Sequence, residues 1–201
     1  MYKIFINQQF VIFSSQNPKL SYCKIINNSR EKDVKKIVKS IKTGLFKENL
    51  CFLSKDYKNL YKIFKKNFEF IRAAGGVVFN KRESFLAIYK LGRWDLPKGK
   101  IDKSEKKIAC AKREITEECG VNSLDVMRKL PSTYHIFLGS ENRWKLKKTH
   151  WYKMKSDKKE KLVPLATERI EQCEWFEKER LTEFLNNTYP SMNDLMFNAL
   201  F

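Results

Sequence analysis

Residues Gly99 to Val121, GKIDKSEKKIACAKREITEECGV, constrain the chain more than any other stretch, because they set three glutamates and an arginine within one helix. Ser104 stands as an N-cap, Gly120 as a C-terminal stop, and Ile108, Ala109, Ala111 and Ile115 supply an apolar stripe. One helix from about Glu105 to Cys119, entered by a loop, is expected. Glu118 follows Glu114 by four positions and Glu117 follows it by three, so the three carboxylates share a face about one turn deep. Uncompensated, they would repel. Oxygen ligands grouped this way suit a hard cation, Mg²⁺ with Mn²⁺ able to substitute, which binds a few carboxylates and completes its shell with water and phosphate. Arg113 lies four residues before Glu117 and can hold that carboxylate in one rotamer.

Any one of these glutamates alone would read as part of a solvated helix face. The full spacing of Gly99, Glu105, Arg113, Glu114, Glu117, Glu118 and Gly120 is different: seven fixed residues match by chance about once in a billion start positions. That spacing resembles the Nudix box, with no departure. The preceding Trp94-Asp95-Leu96-Pro97-Lys98-Gly99 is similar to the WxxPKG segment of Nudix enzymes acting on dinucleoside or inositol polyphosphates, and of messenger-RNA decapping enzymes. The likeness covers about residues 70 to 200. The whole layout, with its N-terminal unit, also resembles a group of Nudix proteins from Bacteroidetes bacteria. The resemblance implies Glu114, Glu117 and Glu118 as metal ligands, Arg113 as the orienting arginine, and Glu105 as a mainly structural residue. Gly99 would let the backbone approach the metal, with its carbonyl as a further ligand.

Relatives often add an acidic residue from a later loop, as ligand or base. Leu162 to Glu171 resembles their PQxEEGI segment, departing at Leu165, Thr167 and Arg169, and Glu168 keeps register and is preferred to Glu171. Arg93, Lys98, Lys100 and Lys103 bracket the loop before the helix and are candidates for binding phosphate, the first three as substrate-binding residues. His135 and His150 sit between apolar or aromatic neighbours and read as structural. Trp94 reads equally as a base-stacking residue or an anchor.

Elsewhere the chain reads as α+β: a small N-terminal unit over residues 1–68, then a Nudix domain over 69–201 built as an αβα sandwich around a mixed sheet. In the first unit, Tyr2–Ile6 and Phe10–Ser14 form a hairpin, with a third strand at Tyr22–Ile26 and another at Leu50–Leu53. Helices follow Asp33 and Asp56 as N-caps. In the second, strands are expected near Val77, Ser84–Tyr89, Tyr134–Leu138, Lys145–Met154 and Glu174–Phe176, and helices at Leu181–Leu185 and from about Met192.

The charge of +18 comes with 32 Lys against nine Arg, and it reads either as a lysine-rich compositional habit or as a field that steers polyanions. The five cysteines are odd in number and never spaced CxxC, so reduced thiols are expected rather than a disulfide framework or zinc site. No membrane-length apolar run or signal-peptide layout is present, and a cytoplasmic location is expected. The expected function is Mg²⁺-dependent hydrolysis of a diphosphate linkage in a small nucleotide or polyphosphate, a dinucleoside polyphosphate above others. An RNA 5′-end hydrolase and a nucleotide-sensing regulator are the alternatives. The protein's partners are then its substrate, with RNA less favoured, no membrane, and room for a homodimer.

Overall fold

Two apolar runs separated by Asn7-Gln8 give the first hairpin: β1 (Tyr2–Ile6) and β2 (Gln9–Ser14) pair antiparallel, with Asn7 in the left-handed conformation that asparagine tolerates. The computed structural model describes residues 1–200. β3 (Lys24–Ile26), α1 (Glu31–Lys42), β4 (Leu50–Leu53) and α2 (Tyr57–Lys65) follow. β4 runs parallel to both β2 and β3. Side chains alternate between the two faces of these strands. Ile4, Ile6, Val11, Phe13 and Phe52 face the buried stripes of α1 (Val34, Val38, Ile41) and α2 (Leu60, Tyr61, Phe64), while Phe5, Phe10, Ile12 and Cys51 form a smaller cluster of their own. Asp33 is not the N-cap expected for α1. Arg30 takes that position, and Asp33, one turn in, accepts the Arg30 backbone N–H at 2.9 Å, which is the reciprocal half of a capping box.

The first compact unit comprises Met1–Ile71 together with Tyr134–Lys148, a segment lying inside the expected second domain. Backbone pairing explains the placement: Ile4, Phe5 and Ile6 of β1 lie parallel to Tyr134, His135 and Ile136. Tyr134, Ile136 and Leu146 are buried in the same cluster as α1 and α2.

The second unit holds Arg72–Thr133 and Thr149–Phe201. Its elements are β5 (Glu69–Asn80), β6 (Phe85–Lys90), β7 (Arg93–Asp95), β8 (Lys98–Lys100), α3 (Lys107–Cys119), β9 (Asp125–Lys129), β10 (Thr133–Leu138), β11 (Trp144–Ser156), β12 (Ile170–Phe176), α4 (Leu181–Asn186) and α5 (Pro190–Leu200), with β5, β10 and β11 crossing the unit boundary. The strands run in the order β12-β6-β5-β11, with β7 on β6, β8 on β5 and β9 on β11. Period-two alternation again sorts the side chains. Val77, Phe79, Phe85 and Ala87 pack with Phe184, Met192, Leu195 and Met196 of α4 and α5. Ala74, Val78, Leu86 and Ile88 pack with Cys110, Ala111, Ile115 and Cys119 of α3. Helices therefore cover both faces, the layering expected of an α+β sandwich.

Two helix starts differ from expectation. Ser104 has a φ of 68°, which is incompatible with the extended backbone of an N-cap, and α3 begins at Lys107 behind Lys106. Pro190 opens α5 two residues before Met192, using a first-turn position where its missing N–H costs nothing. Strands β7, β8 and β9 had no sequence signal, being three to five residues long.

Deleting residues 1–68 removes β1 and both covering helices, leaving Tyr134, Ile136 and Leu146 without their apolar partners. We expect such a fragment to aggregate, and to recover solubility when 134–148 is shortened to a tight turn as well. Size-exclusion chromatography of the two fragments checks this, and a monodisperse 69–201 fragment would contradict it.

Candidate active site

Arg113, in the middle of α3, gathers the acidic groups around it. Its Nε and Nη2 donate to Glu105 Oε1 and Oε2 at 2.9 and 3.0 Å, Nη1 lies 2.8 Å from Glu114 Oε1 and donates to Glu117 Oε2 at 2.9 Å, and Nη2 reaches the Lys100 carbonyl at 3.2 Å. A planar fork with five donors can serve three carboxylates and a carbonyl at once, as an ammonium could not. These hydrogen bonds hold the Glu105 carboxyl down to about 2, so it stays ionised and bridges Arg113 to the Asp102 N–H. Glu105 thus ties the loop before α3 to the helix.

The three glutamates occupy different environments. Glu117 is half exposed, whereas Glu114 and Glu118 are buried. Burial raises the Glu114 pKa against the pull of Arg113. Its carboxylate lies where a Cβ at residue 99 would stand, so glycine there leaves the Glu114 carboxylate its place against β8. Glu118 accepts the Lys98 backbone N–H at 2.7 Å, and burial pushes its pKa up to about 7 despite the nearby Lys98 charge. Gly120, at φ 77°, ends α3 in the left-handed conformation, its N–H bonded to the Thr116 carbonyl.

Glu168 stands in a 3₁₀ turn over Ala166–Glu168, partly exposed, with Lys90 Nζ 3.2 Å from Oε2. Its segment is pinned to the end of α3: the N–H groups of Val163 and Leu165 donate to the Cys119 and Glu118 carbonyls at 3.0 and 3.2 Å. Glu168 raises the pKa of both Glu114 and Glu118, so it shares their field.

Lys98 points inward. Its ammonium pairs with buried Asp95, which also accepts the Leu96 N–H at 2.8 Å, and the Asp95 and Glu118 carboxylates outweigh burial to keep the ammonium charged. Asp95 and Lys90 were not singled out from sequence; the three-residue offset of Asp95 from Lys98 was the available signal. Lys100 and Lys103 are exposed, and the Arg93 guanidinium lies 5.5 Å from the Tyr189 ring centre. Trp94 is a core anchor, its ring 4.5 Å from Phe176 and 5.0 Å from Tyr89, with its carbonyl accepting from Thr188. His150 is buried beside Ser132 and His135 packs on Phe137.

As placed, no three His, Cys, Asp or Glu side chains among the described residues are arranged to hold a cation, because Glu114 and Glu117 close on Arg113 and Glu118 on the Lys98 N–H. The donor chemistry fits one nonetheless. Three carboxylates on adjacent turns beside a residue lacking Cβ offer only oxygen ligands, and Glu117, although bonded to Arg113, keeps about half of its side chain exposed to solvent.

A NUDIX domain family model matches residues 69–196, more than half of the sequence, so the fold and site define a Nudix domain. The chain belongs to the Nudix family, whose members generally use a divalent metal. Among curated proteins it is similar to an RNA pyrophosphohydrolase of Bartonella henselae, 32% identical over 69 residues, 30% of this chain and 39% of that protein's length. Among solved structures it is similar to the Escherichia coli ORF135 protein (TM-score 0.48, 16% identity, 67% of this chain and 91% of that one) and to a Caenorhabditis elegans Ap4A hydrolase (TM-score 0.46, 22% identity, 64% and 94%).

Two outcomes follow from the buried charges. The Glu118 pKa is higher folded (about 7) than its ordinary 4.5, so its ionisation costs stability increasingly as pH rises from about 4.5 through 7. In chelator, Glu118→Gln should raise Tm near pH 8, by on the order of 3 kcal/mol in stability, and lose that advantage near pH 4. A lower Tm near pH 8 would contradict it. Removing Asp95 leaves the Lys98 ammonium with Glu118 as its nearest counter-charge, so Asp95→Asn should weaken Mn²⁺ binding by about 10–100-fold. Adding Lys98→Met should restore it, which loss of packing would not allow.

Proposed function

We propose that the protein is a Mg²⁺-dependent pyrophosphohydrolase cleaving a diphosphate linkage in a nucleotide or polyphosphate substrate, dinucleoside polyphosphates above singly linked sugars. The observation that carries this reading is the carboxylate group of Glu114, Glu117 and Glu118 beside Gly99, the first two held by one guanidinium and the third by the Lys98 N–H. Those side chains and the Gly99 carbonyl would hold the cation, with Mn²⁺ able to substitute. Bound there, it supplies neutralisation of phosphate charge and acidification of a water.

The chain's own groups do the rest. Arg113 keeps Glu114 and Glu117 close together against their repulsion, and Glu105 keeps Arg113 in place. The Lys98 N–H fixes one oxygen of Glu118, leaving the other as an acceptor. Glu168, partly exposed and within the electrostatic reach of Glu114 and Glu118, would orient or deprotonate the attacking water, a role that Glu117 or Glu118 could share. With Lys98 engaged by Asp95, the phosphates beyond the scissile pair fall to Arg93, Lys100 and Lys103. These groups act across solvent, so their help should be modest and salt-sensitive.

A second reading is favoured by one finding. The 69 residues shared at 32% identity with an RNA pyrophosphohydrolase support the 5′-phosphoanhydride of an RNA as an alternative substrate.

The test is a hydrolysis panel of diadenosine tetraphosphate, ADP-ribose, a nucleoside triphosphate and 5′-triphosphorylated RNA at low and high salt. We expect diadenosine tetraphosphate to give the highest kcat/KM, falling with salt and with Lys100→Ala. Glu117→Gln or Glu118→Gln should lower kcat by orders of magnitude with the fold intact. Near wild-type turnover by both variants would end the site assignment, and a salt-independent ADP-ribose preference would end the polyphosphate one.

A further inference from the structure

The charge of this protein is unevenly divided. Met1–Ile71 and Tyr134–Lys148 together carry 19 Lys and Arg against six Asp and Glu, net +13, leaving 22 against 17, net +5, for the larger second unit. A compositional habit would spread lysine in proportion to surface, so this asymmetry needs a local cause.

Its position is defined. α1 buries Val34, Val38 and Ile41, which turns Lys32, Lys36 and Lys39 to the opposite side, and α2 buries Leu60 and Phe64, which turns Lys58, Lys62 and Lys66 outward. Both helices cover the same cluster, so these six exposed lysines share one face of the first unit. None of the six makes an ion pair among the described residues. The only acidic side chains of α1 are engaged locally, Glu31 with Lys35 at 2.9 Å and Asp33 with the Arg30 N–H, and α2 has no acidic residue at all.

Lysines at 32 and 36, 58 and 62, and 62 and 66 are four apart, so each pair repels across one helical turn. A face built only for solvation would alternate its signs and stabilise the helices. This one breaks that local rule without any intramolecular return, which is the mark of a surface kept for a partner. The partner must be a polyanion, since the exposed groups are cationic. The outward positions of both helices include no large apolar side chain, which disfavours a membrane surface, where amphipathic helices insert apolar residues.

We infer that the outer face of α1 and α2 binds the phosphodiester backbone of single-stranded RNA, without sequence selection. The choice of RNA over DNA rests on the second reading proposed above, cleavage of an RNA 5′-phosphoanhydride by the second unit, because a 5′-triphosphorylated RNA carries such a linkage at one end and phosphodiesters along the rest. The first unit then supplies affinity for the body of a long substrate, and the second the chemistry at an anhydride.

The test uses the full chain and a fluorescent 5′-hydroxyl oligoribonucleotide, which has no anhydride, so binding is read apart from hydrolysis. Anisotropy should show binding that weakens steeply with salt. Lys36→Glu/Lys39→Glu/Lys62→Glu should raise Kd by more than tenfold at low salt and reduce the slope of log Kd against log salt by about 2, roughly 0.7 for each phosphate no longer neutralised. Its Tm should hold or rise, and its kcat/KM for diadenosine tetraphosphate should stay at the wild-type value. Reversing Lys81, Lys158 and Lys159 of the second unit, an equal change in net charge, should leave Kd within about threefold. Equal losses from the two triple variants would reduce the effect to overall charge and overturn the proposal. So would absent RNA binding at low salt, or tighter binding of DNA or inorganic polyphosphate of equal charge. If RNA binds as described but no anhydride is cleaved, the inference about the face stands and the hydrolase reading fails.

Discussion

One guanidinium holds the site together. Three carboxylates on adjacent turns of α3 repel, and two of them lie beneath the surface where repulsion is least screened. Arg113 offsets that cost by serving Glu105, Glu114 and Glu117 simultaneously, while its bond to the Lys100 carbonyl ties α3 to β8. Because β8 carries Gly99 and the Lys98 N–H, the same residue also sets where the loop meets Glu114 and Glu118. Loop, helix and carboxylates are therefore one arrangement.

Around it stands a second layer of buried charge. Asp95 engages the Lys98 ammonium, so that this cation lies near Glu118 without an ion pair to it. Lys90, on β6 and nearer the surface, instead pairs directly with Glu168, its Nζ 3.2 Å from Oε2. The Lys98 charge thus pulls the Glu118 pKa down against the burial that raises it, while its ion pair goes to Asp95, an arrangement that leaves Glu118 lone pairs for an added cation.

The arrangement of the candidate site was legible in the sequence because its residues lie on one helix and the loop before it, where spacing translates directly into geometry. Glu114, Glu117, Glu118 and Arg113 could be placed on one helix from numbers alone, and Gly120 ends that helix as its position suggested. Ser104 was misread because an N-cap is a matter of backbone conformation, and its positive φ is set by the turn that brings Glu105 to Arg113. Asp33 was misplaced by one turn for a similar reason, since capping-box partners both suit a helix start. Lys98 looked like a phosphate ligand because charge near a loop is visible in sequence, whereas the direction of its side chain depends on Asp95. The membership of 134–148 in the first unit was invisible, because a parallel pairing between β1 and β10 leaves no periodic trace across the long stretch of chain that separates them.

Arg113 is proposed to assemble a divalent-cation site from α3 and β8. Mn²⁺ titration of the wild type and of Arg113→Ala, followed by electron paramagnetic resonance of the free ion, tests it without any substrate. We expect saturable binding by the wild type that requires Glu114, Glu117 and Glu118, and binding weakened by about 10–100-fold in a folded Arg113→Ala. Equal Mn²⁺ affinity in the two proteins would contradict it.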